Sequence, residues 1–136
     1  MPQSVDVTQV DGPFTPERAN AAAHLAADAI RYLNHATSQE AGACHASDVW
    51  DVLGSLGVAA GRLRQTFDQL GRNLEADLAT GRMRIDEGSP HAEDPEGGVQ
   101  AARWQLQLIS DTARELELGI AEAQRLIFGM SLEPGD

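Results

Sequence analysis

Lysine is missing from this chain, so all ten basic residues are Arg, set against twenty-one acidic residues for a net charge of −11. That balance argues against a surface that tracks nucleic-acid phosphates and against adhesion to an acidic membrane. Cysteine occurs once, as Cys44, which excludes an intrachain disulfide framework and a cysteine-rich zinc knuckle. Aromatic residues make up only 4% of the chain although 42% is apolar, and that apolar set is dominated by Ala and Leu with few Val and Ile. Such a composition favours helix over sheet. No run of about 18 apolar residues occurs, and no basic stretch followed by an apolar one opens the sequence. The expectation is a protein without a membrane span, with a cytoplasmic address, although export by a route that needs no such leader stays open. A length of 136 residues suits one compact core.

Within these limits the sequence predicts an all-α fold of three helices. Residues 1–14 read as a tail closing in the turn residues Asp11, Gly12 and Pro13. In Thr15-Pro16-Glu17 the threonine can cap, the proline suits the first helical position, and the glutamate complements the positive end of the dipole. A first helix is expected over about 15–39, its apolar stripe running through Leu25, Ile30 and Leu33. Ser47-Asp48 offers the next cap. From there Val49, Leu53, Leu56, Ala60, Leu63, Phe67, Leu70 and Leu74 recur at alternating steps of four and three, a heptad seam that Leu78 extends to a stop near Gly81. Asp94-Pro95-Glu96 repeats the first start signal. It opens a third helix over about 94–130, with a seam through Val99, Ala102, Leu106, Ile109, Ala113, Leu116, Ile120, Ala123, Ile127 and Met130. The two long helices, about 47–81 and 94–130, are expected to form an antiparallel hairpin. The shorter first helix would lie against it in a three-helix bundle, one domain over 15–130 with a short tail at 131–136.

Catalytic chemistry finds little footing. His24 and Asp28 share a helical face with His35, but three turns separate the two histidines by about 16 Å, too far for one ion. Cys44 and His45 are adjacent in a loop, and His91 stands alone in the second connection. There is no Glu-x-x-His pair, no His-Glu-x-x-His and no glycine-rich phosphate loop. No serine or cysteine sits in a recognisable nucleophile elbow. No catalytic residue, metal ligand or cofactor is therefore assigned, and the chain is read as non-enzymatic.

Gly54, Gly57 and Gly61 share one face of the second helix with Trp50 one turn before. Three glycines in mid-helix cost about 2 to 3 kcal/mol against Ala, which calls for a compensating role. Close packing against the Ala-rich first helix is the preferred reading; the alternative is a small-molecule groove floored by glycine and walled by Trp50. Trp104 and Leu108 fall opposite the seam of the third helix. Either the 82–93 connection covers them through Met83 or Ile85, or they belong to an exposed patch that binds another chain.

The wording of residues 29–37, Ala-Ile-Arg-Tyr-Leu-Asn-His-Ala-Thr, followed by Asp51-Val52-Leu53-Gly54 and Ala59-Ala60-Gly61-Arg62-Leu63, resembles uncharacterised small all-helical proteins of high-GC actinomycetes. The resemblance spans roughly residues 16–130. It implies a helical fold and a bacterial cytoplasmic origin, and it transfers no site.

Helix lengths add one further expectation. A first helix running back along the second would reach only to about residue 70, leaving the far end of the hairpin bare. Leu70, Leu74, Leu78, Trp104 and Leu108 would then form an interface, covered by the tail or, preferably, by a second copy. The functional expectation is a helical protein–protein interaction module that self-associates as a homodimer or pairs with another helical protein, binding neither nucleic acid nor membrane. A secreted helical-hairpin protein of a specialised secretion system and a small-molecule-binding bundle are the alternatives.

Overall fold

The structure is a computed structural model that describes residues 5–134. Residues 1–4 of the expected N-terminal tail and 135–136 of the C-terminal tail lie outside the described residues. The chain is all-α: three helices, α1 (Pro16–Ala36), α2 (Ala46–Ala79) and α3 (Pro95–Ile127), with no strand among the described residues. It divides into two compact units, one ending at His45 and the other beginning at Ala46.

In the first unit Thr15 caps α1 by accepting from the Arg18 amide at 3.2 Å, with Pro16 in the first turn and Glu17 beside it. The Arg18 guanidinium reaches back to the Pro13 carbonyl at 2.7 Å and ties the approaching chain to the helix. The stop comes at Ala36, three residues before the expected end. There the Thr37 hydroxyl and amide both turn to the Leu33 carbonyl, and the Ser38 hydroxyl takes that of His35. Such side-chain bonds compete with the next helical turn.

The second unit is an antiparallel hairpin of α2 and α3. α2 starts one residue ahead of the expected Ser47-Asp48 cap, so Asp48 falls in the first turn and acts on the helix dipole. α2 closes at Ala79, where the Thr80 hydroxyl bonds the Asp77 carbonyl and Gly81 takes a left-handed φ of 71°. Asp94 caps α3 by accepting from the Gly97 amide at 3.0 Å, with Pro95 in the first turn. The helix ends at Ile127, short of Met130, as Gly129 turns left-handed at φ 79°. In the connection Met83 and Ile85 are half-buried, with Ile85 reaching the first turn of α3.

Each helix of the hairpin carries its apolar seam as two rows of seven-residue period, and the structure treats them differently. In α2 Leu53, Ala60, Phe67 and Leu74 are half-buried or buried; in α3 so are Val99, Leu106, Ala113, Ile120 and Ile127. The second rows, Val49, Leu56, Leu63, Leu70 and Ala102, Ile109, Leu116, Ala123, are more open. Leu63, Leu70 and Leu116 are 42%, 49% and 54% exposed.

Candidate functional site

The glycines of α2 explain why one row is chosen over the other. An added Cβ at Gly57 would meet Ile120 Cγ2 at 3.3 Å, one at Gly54 would meet Gln124 Nε2 at 3.0 Å, and one at Gly61 would meet the Glu117 carboxylate. The side chains that fill this face therefore come from α3, whereas the first helix was the expected partner. The physical reason is proximity within the hairpin: α3 runs alongside α2 for its whole length and reaches the missing Cβ positions first. Gly57 and Gly71 stand four residues beyond Leu53 and Phe67, about 40° around the helix from the inner row. The second row stands about 60° to the other side. Close approach on the glycine side goes with exposure on the other: Val49, Leu63, Leu70 and Leu116 of the second rows are exposed, whereas Leu56, Ala102, Ile109 and Ala123 stay half-buried.

The glycine side is polar. Arg103 of α3 crosses Gly71, its Nε donating to Glu75 Oε1 at 2.9 Å and its Nη1 to the Asp68 carbonyl at 3.3 Å. Asp68 also pairs with Arg72 at 2.9 Å along α2. Gln124 donates to the Trp50 carbonyl at 3.0 Å, and Arg64 keeps its Nε enclosed without a hydrogen-bond partner. An open groove of about 290 Å³ runs past Gly57, Gly61, Glu117 and Ile120. On the solvent side of α3 the Arg125 guanidinium grips Glu122 with two bonds, at 2.9 and 2.7 Å, which holds the Glu122 carboxyl below its ordinary value and raises Arg125.

Trp50 lies inside α2, and its ring meets Phe128 at 6.4 Å between centroids with a tilt of 59°. That contact closes the open end of the hairpin, in the edge-inclined geometry aromatic pairs favour. The five residues of the expected interface do not share a surface. Leu70 lies in the open second row, Leu74 in the inner row and Leu78 half-buried near the connection, whereas Trp104 and Leu108 point outward from α3. Trp104 is 69% exposed, so neither Met83 nor Ile85 covers it. Leu63 and Leu116, absent from that expected set, are also open at mid-hairpin. Among the described residues no three His, Cys, Asp or Glu side chains gather where one metal ion could be held. No helix is long and apolar enough to cross a membrane.

No family model, curated protein or solved structure matches the chain.

Proposed function

We propose that this protein is a non-enzymatic helical interaction module that self-associates, with a homodimer as its smallest assembly, and that it works in the cytoplasm of a bacterium. One observation supports the reading above all: among the described residues Ala60, Val99 and Ala113 are the only buried hydrophobic side chains, while Val49, Leu63, Leu70 and Leu116 of the second apolar rows stay exposed. Apolar surface in water is costly at about 25 cal/mol per Å², and association removes that cost without any further feature of the chain. The non-enzymatic reading rests on the sequence, which carries no recognisable catalytic motif.

Light scattering across the micromolar range tests the association. A mass of two chains that falls on dilution supports the reading; a single-chain mass throughout that range sinks it. Fractionation of the native host tests the compartment, and recovery from washed culture filtrate would instead favour the secreted-hairpin alternative.

A further inference from the structure

The second apolar rows do not stand alone. Beside each runs another row, three residues further on in α2 and three residues further on in α3, so that together they form a stripe stepping by three and four over residues 49–73 of α2 and 98–126 of α3. No Asp, Glu, Arg or His occupies any of its seventeen positions. The same two spans hold twelve charged residues, all elsewhere on the helices. On the glycine side, by contrast, lie Arg64, Asp68, Glu75, Arg103 and Glu117. Because α2 and α3 are antiparallel, rows at the same heptad offset fall on the same side of the plane through both axes. The hairpin thus has one charged face and one face without charge.

We infer that the uncharged face is the docking surface for a second copy of this chain, hairpin stacked on hairpin as a four-helix bundle; this rests on the self-associating reading above. Leu63, Leu70 and Leu116 of the second rows stand exposed beside the seam, on the side where a stacked pair of helices would sit in a square bundle. Each chain carries a net charge of −11, so two copies repel least where the contact itself is free of acids. A partner of opposite charge would instead be read by a charged surface. Alternation of Leu63 and Leu116 with the small Ala59, Gly119 and Ala123 gives knobs and hollows that a two-fold operation brings together. At 1.5 Å per residue the stripe is about 40 Å long, and two helices side by side are about 20 Å wide. That is about 800 Å² per copy, the size of a standard stable interface.

The α2–α3 register, with Gly57 facing Ile120 and Gly61 facing Glu117, places Leu63 about level with Leu116 at mid-length, so a two-fold axis lying in this face and passing through mid-length brings each of them close to Leu63 or Leu116 of the second copy. The full-length double variants Leu63→Glu/Leu116→Glu and Leu63→Lys/Leu116→Lys are each expected to weaken the dimer by at least about a hundredfold, giving single-chain mass where the wild type is dimeric. Mixing the two restores the double mass, a result that a misfolded variant cannot give. Leu118→Glu, equally open but off the stripe, keeps the wild-type mass. If the wild type is itself a single chain, both the self-association and its surface fall. If the wild type is dimeric but both double variants stay dimeric, or mixing fails to restore the dimer, self-association stands and this face is not its surface. A dimer that forms only with a different helical protein and never between copies also overturns the proposal.

Discussion

Arg103 of α3 lies across the bare backbone of Gly71 on α2, so close that an added Cβ would stand 2.7 Å from Arg103 Cδ. The guanidinium Nη1 lies nearer still, so both the tip and the stem of the side chain obstruct it. Gly71 is buried, and Arg103 is held by Glu75 and by the Asp68 carbonyl, so neither partner gives way easily.

Gly71→Ala is therefore expected to destabilise the chain by about 1 kcal/mol, although Ala is the better helix former by about that amount. In an Arg103→Ala background the same change turns neutral or stabilising. Urea unfolding of the four-member cycle measures the coupling, and additive effects would show that the two residues do not share space.

The other glycines separate by what faces them. Gly119 has open space around its Cβ position and Gly61 meets only a flexible carboxylate, so Ala at either is expected to stabilise by about 0.5 to 1 kcal/mol. Gly57 faces the branched Ile120, and Gly57→Leu should cost about 1 to 3 kcal/mol by overpacking. Melting temperatures check the order; equal gains at all three sites would contradict the packing.

Local signals were legible. Thr15-Pro16-Glu17 and Asp94-Pro95-Glu96 sit at the starts of α1 and α3 because a cap, a fixed φ and a favourable charge act within one turn of chain. Helix ends were less so, since Thr37 and Ser38 stop α1 through side-chain bonds that composition does not announce. The seam periodicity predicted both rows of each long helix. Which row turns inward depends on Gly57 and Gly71 meeting Ile120 and Arg103 from a helix far along the chain, a long-range relation that periodicity does not carry. The uncharged stripe, however, was readable in principle as an absence of charge at every third and fourth residue.

The two indoles report on different surroundings. Trp50 is 38% exposed with its ring against Phe128, whereas Trp104 is 69% exposed. Trp104→Phe should shift the emission to shorter wavelength and Trp50→Phe to longer. Adding Phe128→Ala to Trp104→Phe should return the band to the red, and no movement would place Trp50 outside that contact.

Glu122 offers a titration with a defined sign. Its carboxyl is lowered by the Arg125 bonds, so the pair's contribution is present above the ordinary glutamate range and fades as pH falls through the depressed value. Both groups are fully exposed, so the effect on overall stability is small. Carboxyl NMR should find Glu122 titrating at lower pH than in Arg125→Gln, and identical midpoints would show the pair is not held in solution.

The spacing of the cross-helix bonds along the chain orders how the hairpin closes. Arg103 and Glu75 are 28 residues apart, whereas Gln124 and Trp50 are 74 apart. Closing the larger loop first costs more entropy, so the hairpin zips outward from the 80–94 connection and frays inward from the Trp50 end. Amide exchange should then slow progressively from residue 50 toward residue 71 in α2. Uniform protection along α2 would mean that the hairpin opens as one piece.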